Sequence, residues 1–297
     1  MRPATDSSLP ESLAFILILA LVILALRLVA KILAPLLLRT LWRIYSRILA
    51  SSRKRFGRAL YETVALRFPR LVSQFGRRFS VKRFAGLPLT LLAAAALYAT
   101  VLAVELTLDL MFEPEDLAGA DRRIETGLQP FRSPALVAAF AWLTDLGNNA
   151  TLVALSATAT AFALISSRAV NVLPLWVTVL GAQIYTWAGK FALDRQRPEF
   201  LTDIVAHSPS FPSSHASGSL AIYGFIAYML AREISSPARR FEVVFWIVVL
   251  IGLIGFSRIF LHVHYASDVA AGYLVGGFWL VIGISLAELR RARSSYG

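Results

Sequence analysis

The residues best suited to chemistry are basic side chains and histidines in the C-terminal part of the chain. Clustered cations can bind an anion, and histidine can act as a nucleophile or transfer protons near neutral pH. The pattern therefore predicts chemistry on an anionic substrate. The chain has no cysteine, which excludes disulfides, thiolate catalysis and thiolate metal sites. The cluster comprises Lys190, Arg195, Arg197, His207, His215, Arg258, His262 and His264.

These residues stand at the ends of long apolar segments. Of the 297 residues, 57% are hydrophobic and only 16% are charged, whereas soluble domains carry about 25% charged residues. The apolar residues come in blocks of roughly membrane-spanning length. The stretch Pro134–Leu146 either extends the third block or lies at the interface. We predict seven spans, at Leu13–Leu38, Leu87–Phe112, Asn149–Ile165, Val172–Gly189, Ala216–Leu230, Val243–Phe256 and Val269–Leu286.

The N-terminal part combines an apolar span with a strongly basic segment. Basic residues follow the first span instead of preceding it, which favours a membrane anchor over a cleaved signal peptide. From Arg39 to Arg83, arginine and lysine alternate with apolar residues at near-helical spacing. We predict amphipathic helices on the anionic cytoplasmic leaflet, interrupted near Pro69; a solvated basic linker is the alternative. The net charge of +12 thus indicates contact with anionic lipids rather than with nucleic acid.

The basic loops also predict the orientation of the chain, because cytoplasmic loops of membrane proteins are rich in arginine and lysine. If the basic N-terminal segment is cytoplasmic, alternation of the spans places the histidines on the extracytoplasmic side. The other basic segments then fall on the cytoplasmic side, as the rule requires: Arg168, Arg232–Arg240 and Arg290–Arg293.

Three short motifs contain most of the candidate residues, and each lies at the edge of a span. Together they resemble the signatures K-x6-RP, PSGH and SR-x5-H-x3-D of the type-2 phosphatidic acid phosphatase superfamily. The resemblance extends over roughly residues 87–289. The motifs are Lys190 followed after six residues by Arg197–Pro198; Pro212–Ser213–Ser214–His215; and Ser257–Arg258, followed after five residues by His264 and after three more by Asp268.

The resemblance implies an all-α integral membrane protein. Its expected architecture is a six-span phosphatase helical bundle at residues 85–297. An N-terminal transmembrane anchor and basic amphipathic helices at residues 1–84 would precede this bundle and lie outside the resemblance.

The resemblance also implies a role for each motif residue. His264 would be the nucleophile and form a phosphohistidine, and Asp268 would orient its ring. His215 would protonate the leaving oxygen and then deprotonate the hydrolytic water. The phosphate-binding residues would be Lys190, Arg197, Ser213, Ser214 and Arg258.

Spacing and residue type support some of these roles independently. Asp268 follows His264 by four residues, so the two share one face of a continuous helix. Ser213 precedes an apolar run, where the N-terminus of a helix favours a bound anion, although a serine there can also be only a helix cap. Ser214 stands where the family commonly has glycine, which keeps the backbone N–H but restricts the conformation.

Several other residues have weaker cases. His262 and His264 form an H-x-H pair that could ligate zinc with His215 and Asp268, but the resemblance already assigns His264 and implies no metal or other cofactor. A second group is expected to consist of loop and interfacial residues, with roles in the pocket or in proton transfer as alternatives: Arg195, Asp194, Glu199, His207, Glu105 and Asp109.

The function that the resemblance implies is a lipid phosphatase of the cell's inner (plasma) membrane, with its site on the periplasmic or extracytoplasmic side. Undecaprenyl diphosphate, phosphatidate and phosphatidylglycerophosphate fit as substrates. A lipid-to-acceptor phosphotransferase would use the same first step. A transporter with a basic anion site and a noncatalytic scaffold are further alternatives. The sequence does not predict the oligomeric state.

Overall fold

A computed structural model describes residues 8–55, Arg67, 87–198 and 208–294. Within these residues the regular elements are α-helices and short 3-10 helices, without a β-strand. The predicted all-α class is thereby confirmed. Contacts divide the chain into two units: one contains Met1–Leu17 and Leu92–Gly297, and the other contains Ile18–Leu91.

The smaller unit consists largely of helix α1 (Ser8–Arg55), which begins in the larger unit. This helix is 48 residues long and continues through Pro35. The predicted anchor ends at Leu38, but the helix extends to Arg55, because leucine and arginine favour helix on both sides of that boundary. Its apolar side chains are exposed, which suits a helix surrounded by lipid. Apart from Arg67, the predicted amphipathic region beyond Arg55, including the break near Pro69, lies outside the described residues.

The remaining helices are joined by short connections, except for the longer one at residues 194–213. Three 3-10 turns join some of them, at Gln129–Phe131, Asp145–Gly147 and Ala169–Asn171. The helices are α2 (Leu87–Phe112), α3 (Pro114–Leu128), α4 (Pro134–Thr144), α5 (Asn149–Ile165), α6 (Val172–Leu193), α7 (Ser214–Glu233), α8 (Pro237–Phe260) and α9 (Ala266–Ser294).

By length and composition, five helices in the described part of the chain could each cross a membrane. Helices α4 and α5 form a sixth candidate if they are taken as one span bent by 44°. This bent pair matches the alternative in which Pro134–Leu146 extends the third predicted span. The five are Glu11–Leu33, Leu89–Phe112, Ala169–Leu193, Pro237–Phe260 and Ala266–Arg293.

Helix α7 coincides with the fifth predicted span but is not among these candidates, because its sequence is less apolar. It lies at the centre of the bundle and packs against α5, α6, α8 and α9. Its small residues Ser217, Gly218 and Ser219 are buried. A helix enclosed by protein need not be apolar on every face, and small residues let neighbouring backbones approach closely.

The closest approach joins α7 to α9 beside the three motifs. A Cβ atom added to Gly272 would lie 2.5 Å from the carbonyl oxygen of Ser213, and one added to Gly276 would overlap the carbonyl of Ser217. In addition, the N–H of Ser213 donates to the carbonyl oxygen of Asp268 at 2.9 Å. The beginnings of α7 and α9 are therefore held side by side.

Aromatic packing stabilises the neighbouring end of α8. Phe15, near the start of α1, has ring-centroid distances of 5.2 Å to Phe131 and 5.5 Å to Phe260. Phe140 of α4 lies 4.4 Å from Phe260. These rings bury the end of α8, where the third motif begins, against α4 and the start of α1.

Candidate active site

The loop between α6 and α7 connects the first motif to the second. Helix α6 ends at Leu193, and Asp194 adopts a left-handed conformation with φ 43°, a common way to terminate a helix. The N–H of Ser210 then donates to the Arg195 carbonyl at 2.8 Å, and its hydroxyl donates to the Gln196 carbonyl at 3.1 Å. These bonds hold the Arg195–Pro198 segment against the residues that precede α7.

Two cations of the first motif are oriented by backbone oxygens. The Nζ of Lys190, which is only 2% exposed, donates to the carbonyl of Pro209 and, at 3.5 Å, to that of Ser210. Arg197 donates from Nε to the Ser208 carbonyl at 2.7 Å and from Nη1 to the Val263 carbonyl at 2.8 Å. Burial lowers the pKa of Arg197 below its usual value, while the charge of Asp268 raises it.

The second and third motifs contribute polar groups that lack protein partners. The Nη1 of Arg258 donates to the Thr144 hydroxyl at 2.9 Å, but its buried Nε has no hydrogen-bond partner among the described residues. The buried Ser213 hydroxyl is likewise unpartnered there, and it makes no capping bond at the start of α7. Unsatisfied buried polar groups are rare in proteins. Their presence here suits a site that accepts a polar ligand.

The third motif brings His264 and Asp268 together, although they do not share a continuous helix as predicted. His264 lies in the turn before α9, and Asp268 lies in the first turn of that helix. His264 Nδ1 lies 3.3 Å from Asp268 Oδ2, and Arg197 Nη1 lies 3.0 Å from His264 Nε2. Arginine can only donate, so Nε2 must accept, and the proton of a neutral ring must sit on Nδ1, facing the carboxylate. The free lone pair of His264 therefore points towards Arg197.

The ionisation of His264 follows from its surroundings. Burial lowers the pKa of His264 well below its usual 6.5, and the positive charges of Arg258, Arg197 and Lys190 lower it further. The imidazole is consequently neutral near pH 7 and retains a nucleophilic nitrogen. Three cations from two separate motifs thus act on one histidine ring.

His215 lies in the first turn of α7. It interacts electrostatically with Arg258, His264, Arg197 and Lys190. Gly147 leaves room for its ring, because a Cβ atom at that position would lie 3.2 Å from His215 Cδ2. The backbone N–H groups of Ser214, His215 and Ala216 begin the helix and have no carbonyl one turn earlier to bond. All predicted site residues therefore converge on one region.

Two further residues belong to this region, and the sequence had not identified their role. Arg195 was expected in a solvated loop, but its side chain is only 13% exposed and donates to Asp268 Oδ1 at 2.6 Å and to Asp121 Oδ2 at 3.0 Å. Arg195 does lie in a loop, but the expectation that it is solvated is wrong. Two carboxylates and the ring of Tyr265, whose centroid is 4.2 Å from the guanidinium carbon, surround this side chain. Asp121, on α3, had no sequence signal beyond its charge.

The H-x-H pair is divided between two different contacts. His262 Nε2 faces Glu125 Oε2 at 3.3 Å, whereas His264 faces Asp268. Among the described residues, no group of three or more histidines and carboxylates is arranged to hold a metal ion. Glu199 and His207 lie outside the described residues. Asp194 forms the end of α6, and Glu105 and Asp109 lie one turn apart on α2.

Part of the chain resembles a known protein family. Residues 171–292 match the model of the PAP2 superfamily. This region contains all three motifs, from Lys190 to Asp268. This region is therefore similar to the PAP2 superfamily.

Among particular relatives, the chain is similar to phosphatidylglycerophosphatase B of Bacillus subtilis (strain 168). The two are 34% identical over 104 residues, which cover 34% of this chain and 51% of the relative. The chain thus spans about half the length of the curated relative it matches.

One solved structure shows the same fold, and a second is less similar. The crystal structure of a transmembrane PAP2-type phosphatidylglycerolphosphate phosphatase from Bacillus subtilis superposes with a TM-score of 0.57 at 22% identity, covering 68% of this chain and 96% of that one. LpxE of Aquifex aeolicus gives a TM-score of 0.43 at 24% identity, with 56% and 93% covered.

Proposed function

We propose that the chain is a membrane lipid phosphatase that hydrolyses a phosphate ester or diphosphate bond through a phosphohistidine at His264. One observation carries the proposal. The Nε2 lone pair of a neutral, carboxylate-bound histidine faces buried cations, and beside it the Arg258 Nε and the Ser213 hydroxyl lack partners among the described residues. Phosphoryl transfer needs this combination of an aligned nucleophile and donors for the equatorial oxygens.

In the first step, the phosphate displaces the Arg197–His264 contact and its oxygens accept hydrogen bonds from Arg197, Arg258 and the start of α7. Lys190 contributes a fourth donor and positive charge. The lone pair of His264 Nε2 forms a bond to phosphorus while the bond from phosphorus to the lipid oxygen breaks. His215 donates a proton to that leaving oxygen. The negative phosphate favours the protonated form of His215, which the neighbouring cations oppose.

In the second step, water replaces the lipid oxygen. Neutral His215 accepts a proton from the water as its oxygen bonds to phosphorus, and the bond between phosphorus and His264 Nε2 breaks. Inorganic phosphate leaves, and both histidines return to their starting states. Asp268 keeps the Nδ1 proton of His264 in place through both steps, so Nε2 remains the reacting atom.

The membrane setting supports a lipid substrate. The site lies at the ends of α6 and α8 and the beginnings of α7 and α9, three of which are candidate membrane spans. A headgroup can reach this level while its acyl or prenyl chains remain in the bilayer. The name of the Bacillus relative places phosphatidylglycerophosphate first among substrates to test, followed by phosphatidate and undecaprenyl diphosphate. The positive-inside rule predicts an extracytoplasmic site in the cell's inner membrane.

The test is phosphate release by detergent-purified protein with a panel of these lipids, without an ion gradient. We expect wild type to release inorganic phosphate and to form an acid-labile phosphohistidine at His264, with no loss of activity when a chelator is added. Asp116→Asn, on the exposed side of α3, serves as the control variant. Absence of phosphate release from every lipid, or trapping of the phosphoryl group on another residue, would contradict the proposal.

A further inference from the structure

The carboxylate of Asp268 is oriented through both of its oxygens. Oδ1 accepts from Arg195 Nη1 at 2.6 Å, while Oδ2 accepts from the N–H of Tyr265 at 3.0 Å and faces His264 Nδ1 at 3.3 Å. The two oxygens of Asp268 therefore contact different partners: Oδ1 contacts Arg195, and Oδ2 contacts His264. If Asp268 lost its contact with Arg195, the carboxylate could rotate about its terminal bond, and the oxygen presented to His264 would no longer be fixed.

Arg195 is in turn held by a second carboxylate. Its Nη2 donates to Asp121 Oδ2 at 3.0 Å, and its Nη1 also donates to the Ser267 hydroxyl at 2.8 Å. The guanidinium lies over the ring of Tyr265, with 4.2 Å between its carbon and the ring centroid. A planar guanidinium can bridge two carboxylates in this way, whereas the single ammonium of lysine cannot reproduce both directions.

Asp121 connects this bridge to helix α3. It is the buried residue of α3, only 4% exposed. Its Oδ1 accepts from the N–H of Ser267 at 3.0 Å, and its Oδ2 accepts from the Ser267 hydroxyl at 2.6 Å. A buried carboxylate is unfavourable unless it is fully paired. Here the pairing fixes the residue that immediately precedes Asp268.

We infer that Asp121 and Arg195 are positioning residues for the reaction, acting through Asp268 on the tautomer and orientation of His264. The inference rests on the proposed function for its kinetic consequences. The side-chain hydrogen bonds of both residues go to Asp268, Ser267 and each other, not to the Arg258 and Ser213 groups that would bind phosphate. Their removal should therefore slow the chemical step and leave substrate binding largely intact.

Kinetics of three variants and two controls test this division. For Arg195→Gln we expect kcat to fall on the order of tenfold to a hundredfold, as for a displaced reacting group, with KM for the lipid phosphate changed less than about twofold. Arg195→Lys should retain an intermediate kcat, and Asp121→Asn should lose less than Arg195→Gln. Arg122→Gln and Asp116→Asn, which alter exposed residues of α3, are the matched controls and should behave as wild type.

A spectroscopic measurement tests the same point without relying on turnover. The chain has four histidines, so histidine-selective 15N labelling of the detergent-solubilised protein gives few signals, and His264→Gln identifies the one of interest. In wild type we expect the neutral tautomer with the proton on Nδ1. In Arg195→Gln and Asp121→Asn we expect a mixture of both tautomers.

The outcomes separate the two proposals. Wild type that releases no phosphate from any lipid refutes the proposed function, and the His264 tautomer still decides the positioning role. An unchanged His264 signal in both variants, or a rise in KM with unchanged kcat, overturns the inference. If Arg195→Gln does not fold, Arg195→Lys and Asp121→Asn provide the same comparison.

Discussion

Ion pairs occur at both ends of the helical bundle, and they differ in how much water reaches them. At the end that holds the site, Arg195, Asp121 and Asp268 pair at 2.6 and 3.0 Å with side chains no more than 13% exposed. At the opposite end, Arg168 and Glu233 pair at 2.6 Å, but their side chains are 35% and 41% exposed. Similar distances therefore occur in two different dielectric surroundings.

The difference indicates what each set of charges does. Exposed ion pairs contribute little to stability, usually less than about 1 kcal/mol, because water and salt screen them. Buried charges must overcome a large desolvation penalty and are seldom kept for stability alone. The contrast predicts that substitutions at the site end affect chemistry strongly, whereas those at the opposite end affect neither chemistry nor stability appreciably.

The largest effect is expected for His264→Ala, which removes the attacking nitrogen. Phosphate release should fall by about a thousandfold or more, while the purified protein keeps its helical circular dichroism spectrum. Single-turnover phosphate release measures the loss. Activity within tenfold of wild type would contradict the assignment of His264 as the nucleophile. It would also contradict the expected difference between the site end and the opposite end of the bundle.

Arg258→Gln should have the next largest effect, because it removes a buried charge near the phosphate. We expect kcat to fall by about a hundredfold to a thousandfold, the range for loss of one charged stabilising group. Arg258→Lys should recover only part of the loss, since lysine keeps the charge but not the fork. The same substitution at the opposite end, Arg168→Gln, is the matched control.

Ser213→Ala should separate activity from stability. The buried hydroxyl has no partner among the described residues and does not cap α7, so we expect an unchanged or slightly raised unfolding temperature in detergent. Loss of one uncharged donor to phosphate should reduce kcat/KM by roughly tenfold. A lower unfolding temperature with unchanged activity would show that this serine has a structural role instead.

The pH profile gives a smaller, directional effect. His264 must be neutral to attack, so activity is lost as the pH falls through its pKa, which burial and the neighbouring cations hold well below 6.5. Arg258→Gln removes the positive charge that contributes most among the neighbours, so the acid limb of kcat/KM should move up towards 6.5. Titration of the substrate is common to both proteins and cancels in the comparison. Identical limbs would contradict the proposed electrostatics.

The smallest effect is expected for Arg168→Gln and Glu233→Gln at the opposite end. Both side chains are more than a third exposed, so we expect less than about 0.5 kcal/mol of change in stability and less than twofold in activity. Thermal unfolding and phosphate release in detergent measure both quantities. A loss comparable to that of Ser213→Ala would show that burial does not distinguish the two ends.

The sequence predicted the convergence of the motifs because each motif lies at the end of an apolar segment. Lys190 precedes the end of α6, Ser213 precedes α7, and Arg258 and His264 flank the connection from α8 to α9. Alternating spans place these ends on the same side of the membrane. Helix α7 was predicted from its apolar run alone, although its central position makes it less apolar than its neighbours.

The contributions of Asp121 and Thr144 could not be predicted. Asp121 bonds to a residue 74 positions away in the sequence, and α3 has the charged, amphipathic pattern of a surface helix. Thr144 is 114 positions from Arg258, and a single threonine at the end of an apolar stretch has no distinguishing pattern. Such contacts depend on how the helices pack against one another. The spacing of residues within one helix does not predict that packing.

Gly272 and Gly276 let α9 lie close to α7. The distance between these two helices should in turn affect the reactivity of the proposed site. A methyl group at either position would meet the backbone of α7 and push apart Ser213 and Asp268, whose backbones are joined at 2.9 Å. The anion-binding face would then recede from the nucleophile without any change in the residues that meet the substrate. These two glycines therefore set the distance between α7 and α9. We expect a larger residue at either position to lower activity without contacting the substrate.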